Sequence, residues 1–220
     1  MMPLTEWAGR AFRKFGTDIL TRRGIKGTWI DVGAHHGEHT LGYARHNPGL
    51  RIYAFEPNLR AASKLFGHAS NYVVIPMAAA EKDGFANFNI NAFDAASSLL
   101  PLNEEGIKSW EGAKVLKVDS VACVPTVRLD TFMDRVGIEK VDFLKVDAQG
   151  TDLAVIKSAG ARLCDITRIT MEVWVSPRPI YSGVHSKDEI LSYLGERGFS
   201  LVSTETQTEG LEENLTFMRR

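Results

Sequence analysis

Short apolar runs alternate with helical patterns along most of this chain. Runs rich in β-branched and aromatic residues predict seven strands, at 28–32, 51–55, 72–77, 141–146, 166–175, 199–203 and 215–219. Helical spacing or helix-start signals predict helices between most of them, at 40–46, 58–67, 129–136, 151–159 and from Ser186 onward. The last two strands follow each other without a helix and predict a hairpin. This alternation predicts an α/β domain with a mostly parallel, seven-stranded sheet and helices on both of its faces.

Residues 80–128 interrupt the alternation of strands and helices. Apolar and polar residues alternate within 84–92, and 114–127 is also rich in strand-forming residues. We expect both stretches to form antiparallel strands flanking the main sheet, as a β insertion after the third strand. A helix is predicted between them, at 103–110. This insertion is the natural place for substrate specificity.

The first 26 residues stand apart from the rest of the chain. Residues 4–21 place apolar side chains at helical spacing opposite a basic face, which predicts an amphipathic helix ahead of a domain at 27–220. A helix packed on the domain is the favoured interpretation, because Gly9 and Gly16 weaken a free-standing helix. The alternatives are a lid, or a surface for an anionic substrate or a membrane.

The composition narrows the class of protein. A chain of 220 residues, 44% of them hydrophobic, suffices for one α/β domain with a sizeable core. The formal net charge of −1 gives no reason to expect nucleic acid as the main partner. Cys123 and Cys164 form no metal or redox motif, which favours a reducing, cytoplasmic compartment. No apolar run reaches membrane-spanning length, and no signal peptide is expected.

Candidate chemistry begins where the first predicted strand ends. The sequence Asp31-x-Gly33-x-x-x-Gly37 predicts a tight turn leading into a helix, where a ligand can approach the backbone. His35 stands where a dinucleotide fingerprint needs its second glycine, and Glu38 stands where a phosphate-binding loop needs lysine. We infer a nucleoside ligand without phosphates that carries a cationic amino-acid tail, S-adenosylmethionine (SAM).

A second signal follows the second predicted strand. Glu56 is followed by Pro57, which ends the strand. Glu56 lies twenty-five residues after Asp31, near the spacing at which a strand-end acid meets a ribose. We therefore predict that Glu56 accepts hydrogen bonds from both ribose hydroxyls, in preference to the role of a solvated loop acid. The small residues Ala78 and Ala79 offer either a flat slot for adenine or a place for close packing.

Five motifs resemble those of the FkbM-type methyltransferases and occur in the same order. They are Asp31-Val-Gly-Ala-x-x-Gly37-x-x-Thr40, Phe55-Glu56-Pro57, Ser97-Ser98-Leu99, Thr126-Val-Arg-Leu129-Asp130 and Asp142-Phe-Leu-Lys145-Val-Asp147-x-x-Gly150. The resemblance extends over 28–174. It implies a SAM-dependent, class I Rossmann-like fold with strand order 3-2-1-4-5-7-6 and strand seven antiparallel. It also implies methyl transfer, typically to a hydroxyl of a sugar or polyketide.

A hydroxyl acceptor must lose its proton, so a base or a metal ion is expected at the site. Asp147 at the end of the fourth strand is the leading candidate, with helix capping as its structural alternative. His35 or His36 could also act as a base, or both could bond backbone groups. Glu172 lies near the end of the next predicted strand and is a third catalytic candidate. Asp147, Asp152 and Glu172 could instead hold a hard divalent cation.

The expected site residues fall into two groups. Expected SAM contacts are Asp31, Gly33, Ala34, His35, Gly37, Thr40, Glu56, Pro57, Ala78, Ala79 and Asp147. Expected substrate contacts are His36, Ser97, Ser98 and Trp174. No dedicated metal motif is expected, because His35 and His39 alone do not make a zinc site.

Two departures from the family pattern bear on function. Gln149 and Asp152 stand where the family has Glu-Gly followed by another Glu, and His35 stands where it has Asn. The leading hypothesis is an O-methyltransferase acting on a small or glycosidic hydroxyl compound. An N-methyltransferase on the same fold is one alternative. A non-catalytic SAM-binding regulatory or assembly protein is another, which Gln149 keeps open. The sequence also leaves room for a homodimer.

Overall fold

The structure, a computed structural model, describes residues 23–220. The amphipathic helix expected at 4–21 lies outside these residues, so that helix and the domain boundary after residue 26 stay predictions. The strands are β1 (Gly27–Val32), β2 (Leu50–Phe55), β3 (Tyr72–Ile75), β4 (Ala78–Ala79), β5 (Gly84–Asn91), β6 (Val118–Val127), β7 (Phe143–Val146), β8 (Arg168–Trp174), β9 (Phe199–Gln207) and β10 (Glu212–Arg219). The α-helices are α1 (Leu41–His46), α2 (Leu59–Ser63), α3 (Glu104–Ser109), α4 (Leu129–Val136), α5 (Asp152–Lys157) and α6 (Lys187–Glu196).

One sheet contains seven of these strands, in the order β3-β2-β1-β7-β8-β10-β9. β1 pairs in parallel with β2 on one side and with β7 on the other, and β10 runs antiparallel to both of its neighbours. The expected order 3-2-1-4-5-7-6, with the seventh core strand antiparallel, is therefore confirmed. The chain changes sides of β1 between β3 and β7. Open α/β sheets bind ligands at such a switch, beyond the carboxyl ends of the strands.

The two-residue period of a strand explains how the sheet supports two hydrophobic layers. In β2, Ile52 and Ala54 pack into a cluster with α1 and α2, whereas Tyr53 and Phe55 pack on the opposite face. That second layer includes α4, α5 and α6, and Phe132 of α4 meets both aromatic rings of β2 edge-on. Burial of both faces explains why the strands read as continuous apolar runs.

The insertion between β3 and α4 forms a sheet of its own, ordered β4-β6-β5. β5 pairs antiparallel with β6, as expected, but β4 pairs in parallel with the end of β6. The third core strand therefore ends at Ile75, two residues before the predicted end at Met77, because Ala78 and Ala79 belong to the second sheet. This sheet lies beside the main one rather than extending it.

The start of α6 agrees with the boundary predicted from sequence, whereas the end of α5 does not. Ser186 starts α6 through a capping box, since its side chain accepts from the N–H of Glu189 and the Glu189 carboxylate accepts from the N–H of Ser186. α5 ends at Lys157, before the predicted 159, and a 3-10 segment at Gly160–Asp165 follows. Within residues 23–220, no helix is long and apolar enough to cross a membrane.

Candidate functional site

Close backbone packing shapes the turn after β1. Gly33 has a φ of +74°, and a Cβ atom there would lie 1.9 Å from the carbonyl oxygen of Asp147. The N–H groups of Gly33 and Ala34 both donate to the carbonyl of Phe55. The ends of β1, β2 and β7 therefore converge on a position that only glycine fits. Gly33 was expected to form a tight turn that a ligand can approach, and the structure adds a close contact with the backbone just after β7.

Glu56 follows β2, and backbone groups orient its carboxylate. Its Oε2 accepts from the N–H of His35 at 2.8 Å, and its Oε1 accepts from the N–H of Asn58 at 2.8 Å. Burial raises the pKa of Glu56, and these two N–H groups oppose the rise because they favour the charged form. Each carboxylate oxygen can accept a second hydrogen bond, so the fixed carboxylate can still bind a ligand.

A buried ion pair lies beneath the turn. Lys145 of β7 places its Nζ 3.0 Å from Oδ1 of Asp31 in β1 and donates to the carbonyl of Gly33 at 2.9 Å. Thr40 donates to the other oxygen of Asp31. Burial lowers the pKa of Lys145, but the charges of Asp31 and Asp147 outweigh burial and raise it overall. Lys145 was not among the residues expected at the site, although a lysine within an apolar strand was the available signal.

Gln149 connects several groups at the end of β7. Its Nε2 donates to Oδ1 of Asp147 at 2.7 Å and to Oε2 of Glu172 at 3.1 Å. Its Oε1 accepts from the hydroxyl of Tyr181 at 2.8 Å, and its backbone carbonyl accepts from the hydroxyl of Ser98 at 2.7 Å. An amide can donate to two carboxylates, whereas a carboxylate at this position would repel them. Glutamine in place of the family's glutamate at position 149 therefore suits a position between two carboxylates.

Asp152 holds the loop between β7 and α5. Its carboxylate accepts from the N–H of Ala148 at 2.9 Å and from the N–H of Gly150 at 3.0 Å. Burial raises the pKa of Asp152 to about 6. Among the described residues, Asp147, Asp152 and Glu172 do not gather into a group that could hold a metal ion. The cation considered for these three residues is therefore not supported, because loop bonds already engage Asp152.

Two adjacent histidines lie on the turn after β1. Nδ1 of His35 is 2.9 Å from Oε1 of Glu38, and its Nε2 is 3.1 Å from Oδ1 of Asp94. Nε2 of His36 lies 3.6 Å from the other oxygen of Asp94. Burial lowers the pKa of His35, but its bonds to Glu38 and Asp94 outweigh burial and raise it overall. Burial and the charge of His35 lower the pKa of His36.

A cleft of about 690 Å³, including its open mouth, lies at the switch between β1 and β7. The residues expected from sequence that line it are Gly33, His35, Glu56, Pro57, Ala78, Ala79, Ser97 and Asp147. The insertion contributes apolar walls at Phe88, Ala95 and Leu99, which were not among the expected site residues. The cleft thus combines polar groups at strand ends with an apolar cover.

The other residues expected to bind SAM do not line the cleft, and neither does Ser98. Four of these residues are buried around the turn and shape it: Asp31, Ala34, Gly37 and Thr40. Ser98 is 1% exposed, and its hydroxyl joins the insertion to Gln149 rather than facing the cleft. The histidine expected to contact substrate, His36, lies beside the cleft through its contact with Asp94.

Glu172 and Trp174 lie on the far side of Gln149 from the cleft. They line a second cavity together with Tyr181 and Glu212. Burial and the neighbouring carboxylates raise the pKa of Glu172 well above its ordinary value, and burial raises the pKa of Glu212 to about 7. The expectation that Glu172 and Trp174 face the same site as Asp147 is therefore corrected, because Gln149 separates them.

Known protein sequences also resemble this chain. The chain matches the family of the methyltransferase FkbM domain over residues 31–201. It is 24% identical over 165 residues to the 2-O-methyltransferase NoeI of Sinorhizobium fredii (strain NBRC 101917 / NGR234), with 70% of this chain and 65% of that protein covered. The chain thus spans slightly less than two thirds of the length of this curated relative.

Solved structures share the fold at low sequence identity. The fibrillarin/Nop5p complex matches with a TM-score of 0.54 and 16% identity, over 96% of this chain and 83% of that chain. Magnesium protoporphyrin IX methyltransferase (ChlM) from Synechocystis PCC 6803 with bound SAM matches with a TM-score of 0.50 and 13% identity, over 99% and 78%. These similarities concern the fold, and the family match covers most of the sequence. The chain belongs to the FkbM methyltransferase family.

Proposed function

We propose that this chain is a SAM-dependent O-methyltransferase acting on a hydroxyl of a sugar, glycoside or polyketide-like small molecule. The observation that carries the proposal is the cleft, which brings together Gly33, Glu56 and Asp147 from the ends of three strands. Membership of the FkbM family supports methyl transfer. The similarity to NoeI, a 2-O-methyltransferase, supports a hydroxyl as the acceptor.

The residues of the cleft fit SAM. The oriented carboxylate of Glu56 would accept hydrogen bonds from the ribose hydroxyls. The small side chains of Ala78 and Ala79, with Phe88 nearby, would lie against the adenine, and the Gly33 turn would face the amino-acid tail. When bound, SAM supplies an electrophilic methyl group on its sulfonium.

Asp147 is the proposed acceptor of the hydroxyl proton. Its carboxylate lines the cleft, Gln149 donates to its Oδ1, and Nζ of Lys145 lies 3.7 Å from its Oδ2. The N–H groups of Ala148 and Gly150 in the following loop donate to Asp152 and not to Asp147, which favours this role over helix capping. A fixed carboxylate beside the hydroxyl aligns it for in-line displacement and accepts its proton as the new bond forms.

Titration calorimetry with SAM tests the cofactor. We expect micromolar affinity, on the order of −8 kcal/mol. Glu56→Ala should weaken binding by about 1.5–3 kcal/mol because it removes a charged acceptor. Since Glu56 also accepts from two backbone N–H groups, a thermal melt of each variant separates lost binding from lost folding. Glu105→Ala, on the exposed side of α3, is the matched control. Unchanged affinity in Glu56→Ala would remove Glu56 from the site.

Transfer of a labelled methyl group from SAM to sugars, glycosides, hydroxylated polyketides and matched amines tests the acceptor. The expected product is a methyl ether. Asp147→Asn should lower kcat by roughly 10²–10⁴ with little change in SAM affinity, because the amide keeps the shape and loses the base. Methylation of amines alone would favour an N-methyltransferase. SAM binding without any transfer would favour a regulatory protein.

A further inference from the structure

The turn after β1 and the insertion meet in a histidine-aspartate cluster at the cleft. His35, His36 and Asp94 each offer a ligand atom, and these atoms all lie within 4.8 Å of one another. The three residues come from two separate parts of the chain, so the fold rather than local sequence assembles the cluster. We propose that His35, His36 and Asp94 form a binding site for a divalent transition-metal ion of the zinc class.

Each histidine of the cluster lies from the carboxylate of Asp94 at a distance close to that between neighbouring ligands of a tetrahedral centre. Nε2 of His35 lies 3.1 Å from Oδ1 of Asp94, and Nε2 of His36 lies 3.6 Å from Oδ2. Zinc ligands lie about 2.0–2.2 Å from the ion, which puts neighbouring ligand atoms in a tetrahedron roughly 3.3–3.6 Å apart. A donor set of two imidazoles and one carboxylate also favours zinc and related ions over magnesium.

Glu38 supplies the supporting contact that metal-binding histidines usually have. Its Oε1 lies 2.9 Å from Nδ1 of His35, and its Oε2 accepts from the N–H of His36 at 3.0 Å. A carboxylate on the far nitrogen of a histidine orients the ring and leaves the other nitrogen for the metal. Glu38 therefore fixes His35 in the orientation that a ligand needs.

The backbone of His35 also departs from ordinary geometry. Its φ is +47°, a left-handed conformation that costs energy in a residue other than glycine. This turn brings the rings of two consecutive histidines to 3.8 Å between centroids, tilted by 39°. Strain of this kind persists where the surrounding structure requires it, and here it places both imidazoles beside one aspartate.

A metal ion at this position would reach the substrate side of the cleft. His35 and Asp94 both line the cleft. Zinc held by three side chains keeps a fourth position open, which would accept an oxygen atom such as the hydroxyl of the methyl acceptor. This role for the ion rests on the proposed function, whereas metal binding itself does not.

Titration of the untagged 220-residue chain with Zn²⁺, without SAM or acceptor, tests the site. We expect one ion per chain. His36→Ala and Asp94→Ala should each weaken Zn²⁺ binding by at least about 100-fold, and Glu38→Gln by about 10–100-fold, as expected for ligands and a supporting residue. His68→Ala removes an exposed histidine that contacts Arg45, outside the cluster, and should bind Zn²⁺ like the parent.

Co²⁺ gives a readout that does not depend on how the variants fold. Co²⁺ bound to the parent chain should show the visible absorption of a tetrahedral site and lose it when Zn²⁺ is added. Absence of that spectrum, absence of stoichiometric Zn²⁺ binding, or unchanged affinity in both His36→Ala and Asp94→Ala overturns the proposal. SAM affinity is measured on the same metal-free samples. Zinc binding without SAM binding would contradict the proposed function and leave the metal site standing.

Discussion

Replacing Lys145 with methionine removes a cation from the interior of the sheet while keeping most of the side-chain volume. Lys145 is 3% exposed and Asp31 is 1% exposed, with 3.0 Å between Nζ and Oδ1. The substitution leaves Asp31 charged and buried, and it also removes the donor to the carbonyl of Gly33. Breaking a buried ion pair by removing one partner costs about 3–5 kcal/mol.

The size of the domain converts this cost into a melting temperature. Chains of this length change Tm by about 2–4 °C for each kcal/mol, so Lys145→Met should melt roughly 6–20 °C below the parent. Lys140→Met is the matched control. Its Nζ lies 2.8 Å from Oδ1 of Asp142, but its side chain is 63% exposed. Because water screens such a pair, it contributes about 0–1 kcal/mol, and the control should melt within a few degrees of the parent.

The double variant Asp31→Asn/Lys145→Met separates lost charge pairing from lost packing. A neutral amide removes the uncompensated charge and still accepts from Thr40, so the double variant should recover most of the lost stability. Thermal and urea unfolding, followed by circular dichroism and tryptophan fluorescence, measure all variants. The reasoning is refuted if Lys145→Met is as stable as Lys140→Met, or if the double variant is as unstable as the single one.

Three other substitutions have distinct expected outcomes. Gln149→Glu puts a carboxylate between those of Asp147 and Glu172. Thermal melts should therefore show that the free energy of unfolding falls by about 1.5–3 kcal/mol near pH 8 and by less near pH 5. Equal losses at the two pH values would contradict this. The pKa of Glu212 is about 7 in the folded chain against 4.5 ordinarily, so the folded state binds more protons between these values and stability falls as pH rises through them. Glu212→Gln should therefore exceed the parent in stability by roughly 1–3 kcal/mol near pH 8 and by less near pH 5, and a pH-independent difference would argue against this origin. Gly33→Ala places a Cβ 1.9 Å from a backbone oxygen and should lower Tm even without SAM, whereas an unchanged Tm would show that the turn relaxes.

Element types and their order could be predicted from sequence because they depend on local periodicity and capping. Apolar runs identified the seven core strands, and the spacing of Ser186 and Glu189 identified the start of α6. The strand order followed from motifs around Gly33, Glu56 and Asp147 that resemble one family. The same motifs predicted polar residues of the cleft, since the carboxyl ends of neighbouring parallel strands meet at one edge of the sheet.

Only the tertiary structure decided which distant side chains meet. Lys145 pairs with Asp31 because β7 lies beside β1, and His36 meets Asp94 because the insertion folds over the turn. Glu172 follows the same strand-end rule as Asp147, yet the amide of Gln149 lies between them. Periodicity predicts the face that a side chain occupies, but its partner on that face depends on how the whole chain packs, and that distance is absent from any local pattern.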